Sequence, residues 1–93
     1  MKLIVFILTL AGFTIHNVIA QKTDARMIRQ GNKDYKEEDY SSSEIDYRKA
    51  VEAAPESDRA QYNLGGALYK QEKFDEAQSI YKDLTASDRS ADE

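Results

Sequence analysis

The sequence predicts an all-α protein, two antiparallel helical hairpins preceded by an apolar N-terminal segment. Three observations predict it. Matched chemistry recurs at a single offset, the one that carries Gly31 onto Gly65. Apolar residues recur at helical spacing inside each unit, and no stretch alternates with the period of a strand. At the same offset Tyr35 falls on Tyr69, Lys36 on Lys70, Tyr40 on Phe74 and Tyr47 on Tyr81, with small residues at Ser43 and Ala77.

Residues 1–20 carry a single charge, Lys2. Leu3 to Ile15 is almost wholly apolar yet shorter than the roughly 20 residues of a comfortable spanning helix. Val18-Ile19-Ala20 then presents small residues where signal peptidase accepts them, so cleavage is expected after Ala20. This segment is read as a signal peptide or, if uncleaved, a signal anchor, and either way the remainder is exported. Without a cysteine near the cut, lipoprotein anchoring is excluded. The short positive start and the lack of a glycosylation sequon fit a bacterial periplasm or cell envelope.

The first unit covers 24–57, with helices expected near 24–37 and 41–54. Met27, Ile28, Gly31 and Tyr35 share one face of its first helix. Asp39 is placed to cap the second, whose apolar residues are Ile45, Ala50, Val51 and Ala54. Pro55 ends it, because the ring cannot continue a helix and restricts Ala54.

The second unit covers 58–88, with helices near 58–71 and 74–86, and 89–93 form a polar tail. Ser57 and Asp58 supply an N-cap and an acidic first turn. Ala60, Leu64, Ala67 and Leu68 form one apolar face, and Phe74, Ala77, Ile80, Tyr81 and Leu84 the other. Gln71-Glu72-Lys73 is the polar turn between them. Gly31 and Gly65 sit mid-helix, where glycine costs about 1 kcal/mol against alanine. A close helix crossing is expected to offset that cost, with Ser43, Ala50 and Ala77 as small partners. The aromatics at Tyr40/Phe74 and Tyr47/Tyr81 are expected to fill the wedge between helices.

Tyr62-Asn63-Leu64-Gly65-Gly66-Ala67-Leu68-Tyr69-Lys70-Gln71, followed by Phe74-Asp75-Glu76-Ala77 and Tyr81, resembles the tetratricopeptide repeat. The first unit resembles it through Gly31-Asn32, Tyr35-Lys36, Asp39-Tyr40, Tyr47-Arg48-Lys49-Ala50 and Pro55. Departures are Gln30 and Asp34 at packing positions, Ser43 for alanine, Leu84 for the later alanine, and no proline at Arg89. The export segment, Arg29-Gln30-Gly31-Asn32, Tyr47-Arg48-Lys49-Ala50 and Ala60 to Gln71 together resemble the repeat protein family of the Bacteroidetes aerotolerance (Bat) operon. That resemblance implies a scaffold for membrane-associated partners bearing von Willebrand A-type domains.

Composition bounds the function. Beyond residue 20 there are twelve cations against seventeen carboxylates, which argues against a nucleic-acid surface or adhesion to anionic lipid. The chain has no cysteine, and its one histidine, His16, lies in the export segment. The usual triads and zinc sites are therefore not expected. Ser41-Ser42-Ser43 has no neighbouring base, and Glu37-Glu38-Asp39 reads as a solvated turn. The acidic Asp88, Asp92 and Glu93 lack calcium-loop spacing. Gly65-Gly66 lies inside a helix and cradles no phosphate. No enzyme activity, cofactor or metal is expected.

Binding of a protein or peptide segment is the positive reading. In tetratricopeptide arrays the first helix of each hairpin lines a concave groove. The resemblance therefore places Ile28, Arg29, Asn32, Tyr35 and Lys36 in the groove from the first hairpin, and Arg59, Tyr62, Asn63, Gly66, Tyr69 and Lys70 from the second. Tyr35 and Tyr69 either face the partner or pack between helices. Asn32 and Asn63 match a carboxylate-clamp pattern of one subfamily, but Ile28 stands where its first lysine belongs. Two repeats leave the last hairpin uncovered, so a partly exposed strip is expected at Ile80 and Leu84. A second reading follows, a self-associating structural module of a larger repeat array, pairing through the C-terminal hairpin.

Overall fold

The computed structural model describes residues 22–92, with side-chain detail as far as Ser87; segment 1–20 and its export reading lie outside the described residues. Four helices follow one another: α1 (22–36), α2 (Tyr40–Ala53), α3 (Asp58–Lys70) and α4 (Phe74–Asp92). No strand occurs among the described residues. None of their helices is long and apolar enough to cross a membrane. α2 packs on α3 and α3 on α4. α4 runs past its expected end near 86, since no proline or glycine interrupts it.

The helix ends are decided locally. The Asp39 carboxylate accepts the Ser42 N–H at 3.2 Å, and Ser57 Oγ accepts the Ala60 N–H at 3.2 Å. α1 and α3 end in the same closing turn. The Asp39 N–H reaches the Asp34 carbonyl and the Lys73 N–H the Leu68 carbonyl, with shorter bonds from Glu38 to Tyr35 and Glu72 to Tyr69. This turn needs a left-handed residue, and Glu38 (φ 62°) and Glu72 (φ 63°) supply it without being glycine. Left-handed backbone costs an L-residue roughly 1–2 kcal/mol. Glu72→Gly is therefore expected to raise stability by about 0.5–1 kcal/mol in a denaturant titration, glycine's larger unfolded-state entropy offsetting the rest. An unchanged midpoint would show that Glu72 is not strained.

The core lies where the second helix of one hairpin meets the first helix of the next. One cluster joins Tyr47, Leu64, Ala67, Leu68 and Ala77, with Tyr35, Val51, Ile80 and Tyr81 packed against it. A second joins Ile28, Ala50 and Ala60, with Met27 and Val51 alongside. Burial of this kind contributes about 25 cal/mol per Å² of apolar surface.

Two sequence expectations are corrected here. Ile45 is 53% exposed, because the inward arc of α2 runs through Ser43, Tyr47 and Ala50 instead. Ser43 is fully buried, which its hydroxyl tolerates by donating to the Tyr40 carbonyl at 3.0 Å. The glycines do admit a close approach, but of a ring. A Cβ on Gly31 would lie 2.5 Å from Tyr47 Cε1, and one on Gly65 2.7 Å from Tyr81 Cε1. Ile80 and Leu84 are half-buried, and the more exposed apolar groups at the C-terminal end are Tyr69 and Phe74.

A polar hub fixes the second hairpin on the first. Glu44 Oε1 accepts from Gln71 Nε2 and Lys73 Nζ, both at 2.9 Å, and Glu44 Oε2 accepts from Arg48 Nε at 2.9 Å. Arg48 Nη2 continues to Glu76 Oε2 at 3.0 Å. Burial alone would raise the Glu44 pKa, but the donors from Arg48, Lys73 and Gln71 prevail and hold it at about 2. Asp46 is pushed the other way, to about 6, by burial and then by the adjoining Asp34 carboxyl.

These two groups bracket a pH optimum. The lowered Glu44 contributes stability above its ordinary 4.5 and loses it as pH falls toward 2. The raised Asp46 contributes most below its ordinary 3.8 and loses that contribution as pH rises through about 6. Stability should therefore peak near pH 4–4.5, between the ordinary Asp46 value of 3.8 and the ordinary Glu44 value of 4.5. It should then decline by about 1 kcal/mol as pH rises through about 6, and level off above about pH 7, after allowance for solvent screening. Thermal melts across that range check it. Asp46→Asn should flatten the neutral limb, and an equal decline in that variant would exonerate the Asp34–Asp46 pair.

Candidate functional site

α1 and α3 lie side by side, and a cleft of about 350 Å³ opens over them. Asn32 and Tyr35 line it from α1, and Tyr62, Asn63, Gly66 and Tyr69 from α3. Tyr47 and Tyr81 complete its floor from α2 and α4. They reach it because Gly31 and Gly65 let each ring pass flat over the helix in front.

Of the groove residues expected from sequence, Asn32, Tyr35, Tyr62, Asn63 and Tyr69 are brought together, with Gly66. Arg29, Lys36, Arg59 and Lys70 are exposed but do not line the cleft. Ile28 is not in the groove at all. It is 4% exposed in the cluster with Ala50 and Ala60, because its place in the turn points it at α2. Sequence reasoning missed Tyr47 and Tyr81 as lining residues. A signal was there, since Tyr47 follows Gly31 at the same interval as Tyr81 follows Gly65.

Tyr35 combines packing between helices with a place in the cleft lining. It packs against the core cluster, meets the Tyr40 ring edge-on at 5.1 Å and still lines the cleft. Tyr69 meets Phe74 in the same way at 5.2 Å and remains 56% exposed. Tyr62 lies tilted against Tyr81 at 5.9 Å.

The hydrogen-bonding state of the floor differs between hairpins. The Tyr47 hydroxyl donates to Asn32 Oδ1. At the position equivalent to Asn32 the second hairpin has Gly66, with nothing within 4 Å of where a Cβ would stand. The Tyr81 hydroxyl and the Asn63 carboxamide have no hydrogen-bond partner among the described residues. Burial, then the charges of Tyr35, Asp46 and Asp34, pushes Tyr47 up to about 12, and burial followed by Tyr62, Tyr35 and Tyr69 raises Tyr81. Both phenols therefore remain hydrogen-bond donors at neutral pH.

Charge is unevenly shared. α1 carries five cations against two carboxylates and α3 two against one, whereas α2 carries two against three and α4 two against five. The helices that carry the cleft are thus the basic ones.

A concave, tyrosine-rich cleft across the first helices of consecutive helical hairpins defines a helical-repeat interaction module. The model of a family described as tetratricopeptide repeat matches residues 35–93, and the chain belongs to that family. No curated protein and no solved structure matches. The match begins at Tyr35, beyond the Gln30 and Asp34 that depart from the pattern. Repeats of this family generally mediate contacts between proteins.

Proposed function

We propose that this chain is an exported adaptor whose cleft holds an extended or helical segment of a partner protein, with a bias toward acidic segments. The observation that carries the reading is the cleft itself, where the Tyr81 hydroxyl and Asn63 carboxamide have no hydrogen-bond partner among the described residues and lie beside an open notch at Gly66. Amide and phenol groups of this kind bind peptide backbone at small entropic cost. The cations of α1 and α3 favour an acidic partner and would make the complex salt-sensitive.

Export rests on the apolar segment 1–20 and its cleavage pattern at Ala20. The resemblance to the aerotolerance-operon family supports a place in an envelope complex with von Willebrand A-type partners. Nothing in the residues calls for catalysis, and the adaptor reading assigns none. Expressed from its full gene in a bacterium, the protein is expected to reach the periplasm with Gln21 as its first residue. Recovery from the cytoplasm would overturn export.

Immobilised protein should retain a partner from envelope extract, released as salt is raised. Tyr62→Ala with Asn63→Ala, both on the α3 surface, should lower that retention at least about tenfold, the loss of one buried aromatic contact. Undiminished retention by a folded double variant would place binding elsewhere.

A further inference from the structure

The two tyrosines on the floor of the cleft are satisfied differently. In the first hairpin the Tyr47 hydroxyl donates to Asn32 Oδ1, on the helix that its ring crosses. The offset that carries Gly31 onto Gly65 carries Asn32 onto Gly66 and Tyr47 onto Tyr81. The two rings are placed alike. A Cβ on Gly31 would stand 2.5 Å from Tyr47 Cε1, and one on Gly65 2.7 Å from Tyr81 Cε1. At Gly66, however, there is no side chain to accept from Tyr81, and nothing lies within 4 Å of where a Cβ would stand. The second hairpin lacks the acceptor of the first, and the space for it is open.

We infer that the notch at Gly66 is a subsite for one internal acidic side chain of the partner segment, whose carboxylate accepts from the Tyr81 hydroxyl and the Asn63 carboxamide. The inference rests on the adaptor reading and deepens it: the partner supplies to the second hairpin what Asn32 supplies to the first.

A carboxylate suits the notch better than a neutral amide. No acidic residue lines the cleft. Beyond burial, Tyr47 is raised by Tyr35 and by the Asp46 and Asp34 carboxyls, whereas Tyr81 is raised by tyrosines. A negative charge arriving at Tyr81 therefore meets less repulsion than one arriving at Tyr47. Arg59, Asn63, Gly66 and Lys70 recur on α3 at helical spacing and share one stripe. Arg59 and Lys70 thus bracket the pair Asn63 and Gly66, one turn away on either side. Both cations are exposed, and neither is paired with a carboxylate among the described residues. Hydrogen bonds to a charged acceptor are also roughly twice as strong as those to a neutral one. The cleft continues from the notch to Tyr69 on α3 and to Asn32 and Tyr35 on α1, which leaves room for a chain that runs on past its acidic residue.

The probes are short alanine peptides blocked at both ends, with aspartate, asparagine or alanine at the centre. Each is titrated to millimolar concentration into the isotope-labelled full chain and followed at the Gly66 amide and the Asn63 side-chain amide. Saturable shifts are expected there. The aspartate peptide should bind about tenfold tighter than the alanine peptide and about threefold tighter than the asparagine peptide. Tyr81→Phe keeps the ring on Gly65 and removes the donor, so it should erase most of that preference. Gly66→Asn gives the second hairpin the acceptor of the first. It should raise the melting temperature by a few degrees, asparagine being the better helix former, and weaken the aspartate peptide at least about tenfold by occupying its place.

Absence of shifts at Gly66, equal affinities for the aspartate and alanine peptides, or a preference that Tyr81→Phe leaves intact would each overturn the inference. So would tighter binding of an all-alanine peptide with a free C-terminal carboxylate, which would make a chain end the occupant. Retention of the envelope partner separates the subsite from the adaptor reading. Gly66→Asn should lower it about tenfold, as Tyr62→Ala with Asn63→Ala does. If the double variant loses the partner and Gly66→Asn keeps it, the cleft binds without the notch and only the subsite falls.

Discussion

Leu68→Ala should lower the unfolding free energy by about 3 kcal/mol, the middle of the range for leucine truncation in a packed core. Leu68 is fully buried and lies in the cluster with Tyr47, Leu64, Ala67 and Ala77. Its neighbours come from both hairpins, so no single helix can shift to close the cavity. Small domains have total stabilities of only about 5–15 kcal/mol, with the smallest at the low end. The variant is therefore expected to be substantially unfolded at 37 °C. Urea denaturation followed by circular dichroism measures the effect. A loss below about 1 kcal/mol, as for an exposed site, would mean that the hairpins do not share one core.

Gly31→Ala should cost about 2 kcal/mol, although alanine is the better helix former by about 1 kcal/mol. The sign is set by the ring in front of it. An added Cβ would meet Tyr47 Cε1 at 2.5 Å and Cδ1 at 2.7 Å. That ring cannot retreat, because it is buried against Leu64 and Leu68 and its hydroxyl is bonded to Asn32. Gly65 poses the same problem with a softer answer. Its Cβ would meet Tyr81 Cε1 at 2.7 Å, but Tyr81 is only half-buried and has an open cleft beside it, lined by Phe74 and Ala77. Gly65→Ala is expected to cost no more than about 1 kcal/mol. Gly66 has nothing within 4 Å, so Gly66→Ala should gain about 1 kcal/mol from propensity alone. Melting temperatures of the three variants provide the comparison. Any order other than Gly66→Ala above Gly65→Ala above Gly31→Ala would remove ring contact as the reason for the glycine–tyrosine spacing that the two units share.

The sequence by itself determined the four helices, their order and, to within a few residues, most of their ends. That information is local. Asp39 and Ser57 cap through their own side chains, Pro55 stops α2 by its covalent ring, and the period of Ala60, Leu64, Ala67 and Leu68 fixes the buried face of α3. Six of the eleven expected groove positions were equally legible, because the first helix of the second hairpin repeats the outward face of the first.

What only the tertiary structure decided depends on neighbours that no spacing names. Ile45 and Ser43 both looked able to pack, but α2 touches α1 on one side and α3 on the other, and the arc between them takes Ser43 and leaves Ile45 outside. Glu44 is far in sequence from Gln71 and Lys73, and their hub exists only because the turn after α3 falls beside α2. The asymmetry of the two ends has the same origin. Tyr47 and Tyr81 are matched in sequence, yet one is covered by a following helix and the other is covered by none among the described residues. Helical periodicity states which face is apolar; burial is then settled by whichever surface the fold brings against it.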